Sequence, residues 1–545
     1  MQQDPSLLTL DDEWFRLSGS ATDIITLGRG CEGVVVFGQT GGAKTSSMKT
    51  AALQLLRKGL GGIVFCVKKE EYGDWLKFAR QAGRLNDVVE FAPGKHCYNF
   101  INAEAENGGA LIENIVSVIL DAAKVLGGKQ GDDTWDKAAK QLMRSLITIL
   151  LSACDRVTID DMYACIANMP KAFDEAKLKQ WQQNSTLGRF LSGCKTDHPD
   201  LEASVSYLLE EWPALASETS SSVQFTLSST IDTLRRAPLK DWLCDRTTVR
   251  PEDARTGKII IVNYPIMQYK EAARLAQIIY KSSAQRALER TGGNFVFIWN
   301  DEEQYTFAPG DIEFATTRRS NRIIDVILLQ NLPLLFEKAG NDSNATNRAK
   351  AYIGNMVTKI FFLNDCDVTN EYAANLLGKS LQMRKNVGKS SNVGGGKYSS
   401  GQNAGESEQR DYLVQPQEFG ELMSGGKDFN FYTEGYVRQS RKHTWSNGNN
   451  RYFKAVFDQK IGQRASSTLT RRLMLALAVV FVVYAVQDIG LLPEAGTWLP
   501  SRQFRGNLTN AALRLMRAYS YYLFPTVAGI VLFCWLTSTR KNTAR

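Results

Sequence analysis

Over the first hundred positions, apolar β-branched runs alternate with stretches of helical period. Gly33–Phe37 (GVVVF) is apolar throughout and bounded by glycine, which predicts a strand buried on both faces. A glycine-rich turn comes next, and Met48, Ala51, Ala52, Leu55 and Leu56 then recur on one helical face. Gly62–Val67 predicts a second strand and Val88–Phe91 a third. Strands alternating with helices predict a parallel sheet covered on both sides.

From 105 to 245 the strand period is missing. Leu111, Ile112, Ile115, Val116 and Ile119 fit one helical face, and Trp135, Ala138, Ala139, Leu142, Met143, Leu146, Ile149 and Leu150 fit another. Strand runs return at Lys258–Asn263, Phe295–Asn300, Ile323–Leu329 and Val357–Leu363, with a helix from Ala272 to Leu288 between the first two. The chain therefore reads as an α/β domain in two parts, 1–104 and 246–462, with an all-α domain inserted at 105–245. Residues 388–407, rich in Gly, Ser, Lys and Asn without periodicity, read as a mobile loop.

The last residues, 463–545, have a different pattern. Residues 473–492 and 518–536 are each long and apolar enough to cross a bilayer core, and the run AVVFVVYAV has no polar face. They predict a C-terminal transmembrane helical hairpin. Arg464, Arg471, Arg472, Arg540, Lys541 and Arg545 then flank it on the inner side, whereas Arg502, Arg505, Arg514 and Arg517 fall on the outer side, the last two alternatively at the headgroup level of the second helix.

Composition narrows the class. The 545 residues allow about three domains of roughly 150 each. With 43% hydrophobic and 22% charged residues, the chain is neither disordered nor fibrous. A mean hydropathy of -0.25 excludes a protein that is mostly membrane, but not one with a local anchor. None of the nine cysteines forms a CxxC pair, and Cys31, Cys66, Cys154 and Cys165 sit in apolar surroundings, as reduced buried thiols do. The three histidines, His96, His198 and His443, are too scattered to suggest a zinc site. The acidic N-terminus lacks the apolar core of a secretory signal.

The chemistry concentrates at two places. Residues 38–45, GQTGGAKT, nearly match the phosphate-binding pattern GxxxxGK[ST], with a strand before and a helix after. Such a loop turns successive backbone N–H groups toward phosphate oxygens, and the helix adds its positive end. Gly38, Thr40, Gly41, Gly42, Ala43, Lys44, Thr45 and Ser46 are the candidate ATP-binding residues. Lys44 would bridge the β- and γ-phosphates, and the Thr45 hydroxyl would bind Mg²⁺. Ala43 departs from the pattern, which has glycine there. A methyl group restricts the backbone and crowds a phosphate, at small cost only if the residue is right-handed.

The second place is Phe295–Asn300, an apolar strand running into Asp301 and Glu302. Asp301 would hold Mg²⁺ through water and Glu302 would polarise the attacking water, with Glu303 as the alternative base and Gln304 in support. Arg318, Arg319 and Arg322 precede Ile323–Leu329, whose tip is Gln330. That glutamine is placed to sense the γ-phosphate, and an arginine of this segment would act on a neighbouring subunit. Lys68, Lys69, Arg235 and Arg236 read as solvated surface charge rather than a DNA path.

These motifs together resemble the type IV coupling proteins, the TraG/TraD-like conjugative DNA-transfer ATPases. The resemblance rests on GQTGGAKTS at 38–46, FIWNDEEQY at 297–305, Arg319 eleven residues before Gln330, and NMVTKIFFLNDCDVTNEYAANLLG at 355–378. It covers roughly residues 25–440. It implies a RecA-like, ATP-driven homo-hexameric motor at the bacterial inner (cytoplasmic) membrane, with its ATPase domain in the cytoplasm. It further implies DNA with its relaxase as the substrate, type IV secretion channel components as partners, and substrate recognition by the helical domain. The membrane segments depart from that family's pattern, in which they usually lie at the N-terminus. Two other functions fit the same motifs: a secretion motor that moves proteins or assembles pili, and a non-catalytic nucleotide-binding membrane scaffold.

Charge adds one restriction. The chain carries a net +8, and residues 464–545 alone hold ten Lys/Arg against two Asp/Glu. The preceding 463 residues hold 55 of each sign. The basic excess therefore belongs to the membrane hairpin and anionic headgroups, and gives no support to DNA binding by the motor.

Overall fold

A computed structural model describes residues 4–106, 112–126, 133–171, 174–195, 199–243, 246–340, 343–394, 397–440 and 443–460. The chain divides into two compact units, Met1–Gln459 and Lys460–Arg545. The expected hairpin, with spans 473–492 and 518–536, lies outside the described residues. Among the described residues, no helix is long and apolar enough to cross a membrane.

The first unit is built on a nine-stranded mixed sheet. Across it the strands run Phe453–Asp458, Tyr432–Gln439, Thr358–Phe361, Val34–Phe37, Ile323–Leu329, Val296–Asn300, Gly61–Cys66, Ile259–Asn263 and Val88–Phe91. The last seven are parallel, and the first two join antiparallel at one edge.

Alternate side chains of each strand serve opposite faces. Val34, Val36, Val64, Ile261, Phe297, Val326 and Leu328 bury one face under the helices Lys44–Arg57 and Lys69–Gln81, through Met48, Ala51, Leu55, Trp75 and Phe78. On the other face, Val35, Phe37, Ile327 and Leu329 pack against helices that include Leu332–Lys338, Ala345–Gly354 and Asp367–Leu377. Ile63, Phe65, Phe91, Ile260, Val262 and Ile298 share a continuous core with Ile266–Thr291 and with the helices between Ile112 and Leu243. The helical insertion is thus seated on the sheet by one common core.

Three local features differ from the sequence reading. Of the stretch 388–407, expected as a mobile loop, residues 388–394 and 397–407 form the outer part of an antiparallel pair, Lys379–Gly394 with Lys397–Tyr412. A two-stranded ribbon satisfies its backbone across the ladder and needs no buried face, so hydrophobic alternation gives no sign of it. A short hairpin, Glu13–Arg16 with Ile24–Thr26, precedes the sheet and buries Trp14 and Phe15. The helix expected over 272–288 begins at Ile266 and passes a kink at Lys270, where φ is 49° and ψ -122°.

A buried ionic network ties the end of the acidic strand to this long helix. Lys281 Nζ lies 2.9 Å from Glu303 and 2.7 Å from Asp311, and Gln285 donates to Asp311 at 2.8 Å. Tyr352 donates to Glu303 at 3.1 Å. Burial raises the Glu303 carboxyl, against the pull of Lys281. Removing one member of such a cluster strands the others in low dielectric. Lys281→Met is expected to cost about 3 kcal/mol, read as a lowered thermal unfolding midpoint.

Candidate active site

Parallel pairing brings the carboxyl ends of five strands to one edge. Phe37 pairs with Leu329, Phe65 with Asn300, and Cys66 with Asn263. The residues just beyond these ends converge at that edge, where open α/β sheets generally bind their ligands. They are the loop 38–43, Gln330, the acids after Asn300, and Val67 with Lys68.

The loop closes on backbone bonds. Gly38 N–H donates to Leu329 O at 3.1 Å, Gln39 N–H to Leu363 O at 3.0 Å, and Gly42 N–H to Gln39 O at 2.9 Å. A Cβ at Gly42 would stand 2.7 Å from Leu363 O, which requires glycine there, and the φ of +80° at Gly41 favours glycine. Thr40 and Gly41 are exposed at the outer turn. Helix Lys44–Arg57 starts at once, leaving its first N–H groups outside the helical ladder. Ser46 donates to Ala43 O at 3.1 Å and accepts from Gln459 at 2.7 Å.

Ala43 is left-handed, with φ 62° and ψ 16°. The cheap right-handed case does not apply. Such a backbone costs an L-residue about 1–2 kcal/mol, and glycine's extra freedom in the unfolded chain returns about 0.4–1 kcal/mol. Ala43→Gly is therefore expected to stabilise the protein by about 0.5–1 kcal/mol. A thermal midpoint raised by about 2 °C would show it.

The loop and the acidic strand meet in two contacts. Lys44 Nζ lies 2.9 Å from Glu302 Oε1, with Lys44 5% exposed and Glu302 fully buried. Thr45 Oγ1 donates to Asp301 Oδ2 at 2.7 Å. Asp301 Oδ1 is buried without a hydrogen-bond partner among the described residues. A buried carboxylate oxygen without a donor, beside a threonine hydroxyl, is the hard oxygen set that Mg²⁺ takes. Burial raises the Asp301 carboxyl, against Lys44; a bound cation would supply the missing charge.

Glu302 takes two more partners. Lys68 Nζ lies 2.5 Å from the same Oε1, and Gln304 Nε2 donates to Oε2 at 2.7 Å. Burial alone would raise this carboxyl, but Lys44 and Lys68 outweigh it and hold it at about 2. The backbone of Glu302 is left-handed, with φ 63°. Glu71 caps the next helix, accepting from Val67 N–H at 2.7 Å and Lys68 N–H at 3.1 Å. Burial, and then Asp301, push its carboxyl up to about 8.

Glu303 does not fit the role of alternative base. Its carboxylate is engaged by Lys281 and Tyr352, away from the loop. Gln330 comes directly after Leu329, between the loop and the acidic strand, and its carbonyl accepts from Asn364 Nδ2 at 2.8 Å. Arg319 stands apart. It precedes the amino end of the seven-residue strand Ile323–Leu329, roughly 20 Å from Gln330, and pairs with Glu32 at 3.2 Å. Arg318 is buried, 3.5 Å from Asp325 and donating to the Glu32 and Asn355 carbonyls. It supports the fold rather than the site.

Two residues of the site lie outside the sequence reading. Lys68 reads there as solvated charge, and Glu71 carries no motif of its own. The available signal is their place just after a strand adjacent to the acidic one. Arg235 and Arg236 pair within the helical insertion, with Asp160 and Asp232.

The comparisons with known proteins agree with this fold. Residues 12–295 match the family model described as type IV secretory system conjugative DNA transfer, and residues 300–424 match the model described as the TraM recognition site of TraD and TraG. No curated protein sequence matches the chain. Among solved structures, the chain is similar to the unbound bacterial conjugative coupling protein TrwBΔN70, with 13% identity and a TM-score of 0.53, over 83% of this chain and 90% of that one. It is similar to the plasmid coupling protein TrwB in complex with the ATP analogue ADPNP, at 13% identity and a TM-score of 0.52, over 82% and 91% of the two chains. A third similar structure is TrwB with ADP and Mg²⁺, at 13% identity and a TM-score of 0.52, over 83% and 90%. The first family model alone spans more than half of the sequence, and the chain belongs to the type IV secretion family of conjugative DNA-transfer coupling proteins.

Proposed function

We propose that the chain is an ATP-driven motor that delivers relaxase-bound DNA to a type IV secretion channel. In this reading it is a homo-hexamer of the bacterial inner membrane, anchored by residues 473–492 and 518–536, with its ATPase domain in the cytoplasm. The observation that carries the reading is the pair of contacts Lys44–Glu302 and Thr45–Asp301, with Asp301 Oδ1 left for a cation. The nucleotide complexes of TrwB support ATP and Mg²⁺ as the cofactors. The match to the TraM recognition site supports a partner bound to the transferred DNA.

The loop 38–46 holds the phosphates through its backbone N–H groups and the start of helix Lys44–Arg57. Thr45 and Asp301 would hold Mg²⁺, whose positive charge would offset that of the phosphate oxygens. Lys44 must leave Glu302 to reach the phosphates. That move frees an Oε1 lone pair, and Glu302 can then accept a hydrogen bond from the attacking water. Gln330 reports the γ-phosphate to the neighbouring strand. Arg319, at the far end of the sheet from its own loop, serves the site of the next subunit.

Two experiments test this. Affinity purification from cells should recover a relaxase–DNA complex; recovery of protein substrates alone would favour the protein-moving motor. Arg319→Ala and Lys44→Ala chains, each inactive alone, should regain turnover when mixed. No recovery would remove Arg319 from the neighbouring site.

A further inference from the structure

The same oxygen of Glu302 receives two ammonium groups, Lys44 at 2.9 Å and Lys68 at 2.5 Å. Lys44 comes from the phosphate loop and is buried. Lys68 comes from the end of the strand beside the acidic one, and its side chain is 47% exposed. The other oxygen of Glu302 takes the Gln304 amide. Glu302 itself is fully buried, so bulk water cannot solvate it when a cation leaves, and the single attacking water carries no charge to replace one.

Binding a nucleotide needs Lys44 on the phosphates. If Lys44 were the sole cation on Glu302, its departure would strand a buried carboxylate, a loss that opposes binding. We propose that Lys68 is a positioning residue that stays on Glu302 as Lys44 leaves, and so lets the loop lysine transfer to the nucleotide. This rests on the nucleotide reading of the site. It assigns Lys68 a task in binding, distinct from the phosphate contacts of Lys44 and the water contact of Glu302. Its exposed stem lets Lys68 follow the carboxylate as the site rearranges.

The test is equilibrium binding of a fluorescent non-hydrolysable ATP analogue, with Mg²⁺, to the full chain. Lys68→Met should weaken binding by at least about tenfold, the equivalent of about 1.4 kcal/mol, and Lys68→Gln should behave alike. In the Glu302→Gln background no charge is left to strand, so adding Lys68→Met should change the dissociation constant less than about twofold. Unchanged or tighter binding by both Lys68 variants overturns the proposal. A tenfold loss that persists beside Glu302→Gln also overturns it, because Lys68 would then touch the nucleotide itself. Failure of the wild type to bind the analogue overturns the nucleotide reading as well, so the two failures are distinguishable.

Discussion

Lys44→Ala is expected to lower ATP turnover by at least about a thousandfold. The lysine is the one cation of the phosphate loop, and phosphoryl transfer depends on positioning and charge rather than covalent help. The fold should survive the change. Glu302 keeps Lys68 on Oε1 and Gln304 on Oε2, so the carboxylate is not left bare. Steady-state phosphate release would show the loss, and an unfolding midpoint near that of wild type would show that the variant is folded. Loss of turnover through unfolding would not count as support.

Glu302→Gln separates the two halves of the site. Turnover is expected to fall by about a hundredfold or more, because an amide cannot take the proton or carry the charge that polarises water. Binding should move the other way. The neutral amide holds Lys44 less firmly than the carboxylate 2.9 Å away, so the lysine is freer to meet phosphate. A non-hydrolysable ATP analogue should bind this variant at least as tightly as wild type. The same substitution has a pH signature. The native carboxyl, held at about 2 by Lys44 and Lys68 against burial, sits below its ordinary value of 4.5. Its stabilisation, about 3 kcal/mol, is complete above pH 4.5 and lost as the pH falls toward 2. Between those limits, Glu302→Gln should flatten the acid dependence of unfolding.

Much of the fold is legible in the sequence because burial leaves a strong signature. GVVVF is apolar throughout, VFIWN and IIDVILL are apolar but for Asn300 and Asp325, and each forms a strand of the sheet interior. The loop 38–45 and Asp301–Glu302 are legible because their spacing has one mechanical use. Lys68 and Glu71 are not, because Lys68-Lys69-Glu70-Glu71 looks like any charged start of a helix. Only the pairing of Gly61–Cys66 with Val296–Asn300 turns Lys68 toward Glu302. The handedness of Ala43 is equally hidden, since it comes from the tightness of the turn. The antiparallel strands Tyr432–Gln439 and Phe453–Asp458 and the ribbon strands Lys379–Gly394 and Lys397–Tyr412 carry mixed polarity, so periodicity passes over them.

The most direct measurement is the ATP turnover of the full chain with and without DNA, for wild type and for Lys44→Ala. The motor reading predicts turnover in the wild type that rises when DNA is added, and none in the variant under either condition. Wild-type turnover that matches Lys44→Ala with DNA and membrane partners present would contradict it, and would leave a nucleotide-binding scaffold in its place.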